Sequence, residues 1–273
     1  MTINYTTKLE NKRIISITGD ETDNFLNNII TNDVKKINNN SAIYACLLTP
    51  QGKLSSHFFL TKTNNQYLII IDDYLTKDLI NKLNFYKLRS KITIEIDNQN
   101  QIIFSLDPNF KINSIIEFTD PRNKKFGKYF LISNKESVNN AFDSLDYYNK
   151  FLSENGLIDE IFTIIKDQYF SLELNMKELN AIDFSKGCFV GQENTARMKL
   201  KEKISKRIFL LKSDEILKSN EDLKYNNQVV GKVLTSNPNF GLIKILNFDD
   251  FKNRNLNIEN KKEVKIIYPI WLF

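Results

Sequence analysis

Residues 183–199 read DFSKGCFVGQENTARMK, and they hold one of the two cysteines and two of the eight glycines in a chain of 273 residues. Cys188 lies between Gly187 and Gly191, two positions after Lys186. Gly187 frees the backbone beside the cysteine, and Gly191 lets it bend again before QENTARMK. That last segment favours helix, with Glu193 and Arg197 four apart and able to pair on one face. Cys188 therefore precedes a helix N-terminus, where unpaired N–H groups and the dipole favour an anion. Lys186 adds a cation close by in sequence, and both features are those of a reactive thiol. The alternative is a small buried hydrophobe, the role expected of Cys46 in AIYACLL. The residues alone leave both readings open.

The composition narrows the chemistry. Two cysteines and one histidine cannot furnish a dedicated zinc or iron–sulfur site, and two cysteines make no disulfide framework. The single histidine, His57 in KLSSHFFL, is expected on the polar face of a strand, so a histidine-based triad has no support. Any chemistry is then expected to come with a small-molecule cofactor. No apolar run approaches the roughly 20 residues that cross a bilayer. The first twenty residues show no apolar signal core, and a cytoplasmic location is expected. The net charge of +5 is uneven. Residues 199–273 carry 15 lysines and arginines against 9 acidic residues, a balance that could suit an acidic partner such as RNA.

Along the chain, KRIISIT alternates as a strand, and GDETDNFLNNII starts a helix with Asp20 as its cap. AIYACLL and LSSHFFL are strands joined by the turn TPQGK, with QYLIII following. Asp72 and Asp73 open a helix, and KITIEID closes the block. This β-α-β-β-β-α-β order predicts an α+β sheet with helices on one face. QIIFSL and KYFLIS are further strands, and SVNNAFDSLDYYNKFLSENG is a helix stopped by Gly156. Beyond residue 203 every element is a strand: RIFLLKS, QVVGKVLTS, FGLIKIL and EVKIIYPIWLF. A C-terminal β-barrel or sandwich is expected over 203–273.

KGCFVGQENTAR resembles the signature Lys-Gly-Cys-(Tyr/Phe)-x-Gly-Gln-Glu-x-x-x-Arg of the YgfZ family of folate-binding proteins. ISITGDETDNFLNNIITNDV, CLLTPQGKLSSHFFL and GKVLTS with FGLIKIL are similar to other parts of that family, so the resemblance covers nearly the whole chain. It implies an aminomethyltransferase-like cloverleaf of three domains around a central folate cavity. Residues 1–202 would form the folate-binding region, as two α+β subdomains of about 1–100 and 101–202 that could be interleaved, and 203–273 the barrel. Where glycine-cleavage T-proteins carry paired aspartates, this chain has Ser56-His57, which argues against that reaction.

The resemblance further implies an accessory role in assembling or repairing iron–sulfur clusters in client enzymes, including tRNA-modifying ones. Cys188 and Lys186 would be the working groups, with tetrahydrofolate or a derivative as cofactor. Gln192, Glu193, Arg197 and Tyr148 would hold that cofactor, Tyr148 standing where some members carry a cavity-lining tryptophan. Cluster-assembly factors or cluster-containing clients are the expected partners of a monomer with no resident metal and no membrane contact. Two alternatives are a tetrahydrofolate-dependent one-carbon transferase and a tRNA-binding protein using RMKLKEKISKR.

Overall fold

The computed structural model describes residues 5–63, 66–136, 142–200, 204–244, 255–258 and 262–272. The first sheet has the order β3-β4-β5-β2-β6. Its strands are β2 (Lys12–Thr18), β3 (Ala42–Leu48), β4 (Leu54–Thr63), β5 (Gln66–Asp72) and β6 (Thr93–Asp97). These are the alternating or β-branched runs of the sequence, all joined antiparallel. Nearly every residue of β3, β4 and β5 is buried, so both faces of the sheet are covered over these three strands.

The cover on one face is a second sheet, of order β1-β7-β9-β8. It comprises β1 (Thr6–Lys8), β7 (Asn100–Ser105), β8 (Ile116–Thr119) and β9 (Lys128–Ser133). Phe59 of β4 meets Phe118 of β8 and Tyr129 of β9, with ring centroids 5.9 and 4.9 Å apart. The two sheets and their helices share one hydrophobic core. His57 is therefore not on a solvated strand face: it is buried, edge-on to Phe162 at 4.5 Å.

Helix α1 (Thr22–Ile29) buries Phe25, Leu26 and Ile29. Its N-cap is Glu21 rather than Asp20, because Gly19, at φ 121°, holds a turn whose carbonyl accepts from the Thr22 N–H at 3.2 Å. Helix α2 (Asp73–Lys87) follows β5, and α3 (Leu145–Glu154) is capped by the Ser144 side chain. The chain then reverses at Gly156, at φ 68°. Of the helix expected from Ser137, the residues 137–141 lie outside those described. The ambiguous stretch from Asp159 is a 3-10 turn, the short helix α4 (Phe162–Ile165) and a series of turns.

The C-terminal strands are β10 (Lys206–Lys212), β11 (Asp222–Tyr225), β12 (Gln228–Ser236), β13 (Asn239–Lys244), β14 (Asn255–Ile258) and β15 (Lys262–Ile267). They pair in the order β10-β13-β12-β11-β14-β15, and β15 pairs with β10 in turn. They enclose a core of their own, including Phe209, Leu223, Val233 and Val264. Stitches join this unit to the preceding turns. Asn175 donates to the Ile208 carbonyl at 2.9 Å, and Arg207 meets Glu178 at 2.9 Å.

Candidate functional site

The loop before helix α5 (Gln192–Leu200) is tied down along its length. The Asp183 N–H donates to the Thr31 carbonyl at 2.9 Å. The Asp183 carboxylate accepts from the Ser185 N–H at 2.7 Å and meets Lys36 Nζ at 2.8 Å. Burial works against this carboxylate, but Lys36 and Ser185 outweigh it and hold the group below the ordinary carboxylate range. Thr31 itself donates to the Ala181 carbonyl at 2.6 Å and accepts from the Cys46 N–H at 2.8 Å.

Lys186 does not stand over the thiol. Its side chain is buried, and Nζ donates to the carbonyls of Asn27, Ile30 and Asn32 at 2.5, 2.7 and 3.2 Å. These carbonyls lie at and just beyond the C-terminus of α1, where a helix leaves acceptors unpaired and its dipole favours a cation. The sequence placed this cation as the neighbour of Cys188; the fold gives it to a helix end 154 to 159 residues away. Burial pulls the ammonium down to about 8, against the opposing pull of Asp33 and Asp183. Lys186 is thus the peg that fixes the loop to α1.

Cys188 is exposed, whereas Cys46 is wholly buried. Added atoms at Gly187 would meet open space, so the flank of the thiol is uncovered on that side. Gly191 is different. It sits at φ 77°, and a side chain there would run into the Thr49 carbonyl and Gly52. Gly52, at φ 84°, belongs to the TPQGK turn, which Asn194 holds by donating to the Gln51 carbonyl at 2.8 Å. Two stretches 140 residues apart in sequence therefore clasp backbone to backbone at the start of α5.

Glu193 and Arg197 form the expected i, i+4 pair at 2.6 Å, largely in solvent, where such a pair adds little stability. With Gln192 they line an open hollow of about 670 Å³ bordered by Pro50, Phe189 and Leu200. The structure brings Gln192, Glu193 and Arg197 together next to the Cys188 loop and puts Lys186 beneath it.

Tyr148 belongs to a different place. It is fully buried, its hydroxyl 3.2 Å from that of Tyr129 and its ring edge-on to Phe104 at 4.8 Å. Around it is a charged centre that the sequence did not reveal. Lys12 Nζ meets Asp72 at 2.8 Å and Asp159 at 3.7 Å. Arg122 meets Asp159 at 3.3 Å and grips Asp120 through Nε and an NH2 group at 3.1 and 2.8 Å. All five of these residues are buried. Arg122 also lies 4.9 Å from the Phe59 ring centroid. Tyr44 and His57 close the group through a 3.0 Å contact at Nδ1, while His57 Nε2 has no hydrogen-bond partner among the described residues. Burial lowers the His57 pKa, with Asp159 and Asp72 opposing. The space left among these side chains is about 10 Å³, room for roughly one water. A pterin does not fit the centre as it is packed.

No protein-family model matches the chain. Among curated proteins it is 28% identical over 230 residues to the mitochondrial iron–sulfur cluster assembly factor IBA57 homolog of Neurospora crassa. That alignment takes in 74% of this chain and 52% of the relative. The IBA57 homolog of Mycosarcoma maydis is 25% identical over 74% of this chain and 55% of its own length. The chain thus spans about half the length of these relatives. The tRNA-modifying protein YgfZ of Blochmanniella pennsylvanica is 26% identical over 84% of this chain and 81% of that protein. Among solved structures, the glycine cleavage system aminomethyltransferase T of Bartonella henselae superimposes with a TM-score of 0.67. It covers 99% of this chain and 86% of that one at 11% identity, a likeness of fold. The expected cytoplasmic location does not stand, since the IBA57 relatives are mitochondrial proteins.

Proposed function

We propose that this chain, a relative of the YgfZ and IBA57 proteins on an aminomethyltransferase-like fold, is an accessory factor that assembles or repairs iron–sulfur clusters in client enzymes. The resemblance would add tetrahydrofolate or a derivative as cofactor, for which the packed centre of this chain leaves no room. We read its architecture as two interleaved α+β subdomains of about 1–100 and 101–202, with β1 of the first completing the sheet of the second, followed by a barrel over 203–273, in a mitochondrial setting.

The observation that carries the reading is the exposure of Cys188 on a loop fixed at both ends. Lys186 pegs one end to α1, and Gly191 locks the other against the TPQGK turn. A thiol held this way is presented to a partner without a further ordering cost. One thiolate fills a single ligand position, so the remaining ligands of a cluster come from the partner or client. Gln192, Glu193 and Arg197 offer polar contacts next to it, and their hollow has Phe189 and Leu200 as its apolar side.

The one-carbon transferase reading loses ground. Ser56 and His57, which stand where T-proteins carry carboxylates, are buried inside the first sheet. For tRNA, Lys201 and Lys203 of the basic stretch lie outside the described residues.

Complementation tests the proposal. Cys188→Ser is expected to abolish rescue of cluster-dependent tRNA methylthiolation in cells lacking the native factor. Its unfolding midpoint should stay near that of the parent, because an exposed side chain of similar size is changed. Full rescue by this variant would remove the thiol from the function.

A further inference from the structure

We infer that the centre of this fold, where the resemblance sets a pterin, is sealed in this chain by an ionic core and holds no folate. The inference concerns a different part of the molecule from the Cys188 loop. It limits the cofactor expectation and leaves the thiol reading intact.

A ligand of pterin size asks for a cavity of roughly 300 Å³ or more. Among the described residues, the space left at the centre is about 10 Å³. The difference is not a matter of one mobile rotamer, because the charged residues of the lining are tied to one another across elements. Asp159, in the turn before α4, lies between Lys12 of β2 at 3.7 Å and Arg122, from the loop after β8, at 3.3 Å. Lys12 is held in turn by Asp72 at the end of β5, and Arg122 by Asp120.

Entry of a ring system between Tyr44, His57 and Phe59, which line this space, means separating at least one of these buried pairs. Parting one costs about a hundredfold to a few thousandfold in apparent affinity. A ligand otherwise bound at micromolar strength would then bind in the high micromolar to millimolar range.

The aromatic that the sequence offered for stacking has no free face. Tyr148 is enclosed, with Phe104 on its ring and Tyr129 on its hydroxyl. Among the described residues that line the space, His57 Nε2 is the buried polar atom without a hydrogen-bond partner, and a single water would satisfy it. The centre is thereby a rivet joining the first sheet, the second sheet and the segment before α4.

Isothermal titration of the full chain with 5-formyltetrahydrofolate tests this, on protein shown to be folded by one cooperative unfolding transition. The expected result is no saturable heat at ligand concentrations up to about 100 µM. If saturable binding is seen, hydrogen exchange in the presence of the ligand decides its meaning. New protection confined to residues 189–200 places the ligand in the surface hollow and supports a sealed centre. New protection at residues 119–123 and 159–161 overturns the inference. Complementation by Cys188→Ser is read separately, so either result stands without the other.

Discussion

Replacing Arg122 with methionine should lower the free energy of unfolding by about 3–5 kcal/mol. The variant keeps the length and much of the packing against Phe59 and Tyr44 while removing the charge. Two carboxylates, Asp120 and Asp159, then remain buried without the guanidinium that spans them. Lys12 still reaches Asp159 at 3.7 Å, but nothing else of opposite charge reaches Asp120 among the described ion pairs. Removing one member of a buried pair costs far more than the pair contributes over an apolar replacement, because the partner is stranded. Urea unfolding gives the number. Arg122→Lys should recover only part of the loss, since an ammonium cannot reproduce the two-pronged grip on Asp120. A change below about 1 kcal/mol for the methionine variant would mean that the ionic centre does not hold the sheets together.

Replacing Lys186 with methionine should cost about 2–3 kcal/mol and loosen the Cys188 loop. Three carbonyls at the end of α1 lose their shared donor, and among the described residues no other side chain donates to them. Global stability is followed by urea unfolding, and the loop by limited proteolysis between residues 183 and 191. The pH dependence separates this peg from a thiol-activating cation. In the folded chain burial lowers Lys186 to about 8, against roughly 10.4 when unfolded. Between those values the unfolded chain binds the extra proton, so this group makes stability rise with pH across that window. The methionine variant should lose that rise. An unchanged pH profile, with an intact loop, would contradict the peg.

The elements legible in the sequence were those whose signal is local. β2, β3 and β5 follow from runs of alternating and β-branched residues, and Gly156 marked the end of α3 through its own backbone preference. The Glu193–Arg197 pair was equally legible, being fixed by helical spacing. The strands β1, β8, β11 and β14 gave no pattern because each has three or four residues, and β1 forms only by pairing with β7 about a hundred positions on. His57 looked like a surface residue because alternation assumes one wet face, and the second sheet covers that face.

The same distinction governs the site. The lone cysteine between glycines was visible, but the direction of Lys186 was not, since its partners come from α1. Arg122, Asp120, Asp159 and Lys12 were unremarkable charges in three separate stretches. Only the packing of the two sheets makes them a centre, and that packing also withdraws Tyr148 from any ligand.

The central claim is that one thiol of this chain is presented for work, and alkylation measures it directly. Native protein treated with iodoacetamide should take up one label per chain, at Cys188, with Cys46 reacting only after unfolding. The labelled, folded protein should fail to support cluster delivery to a client enzyme in a reconstituted assay. Labelled protein that supports delivery as well as the untreated chain would contradict the account.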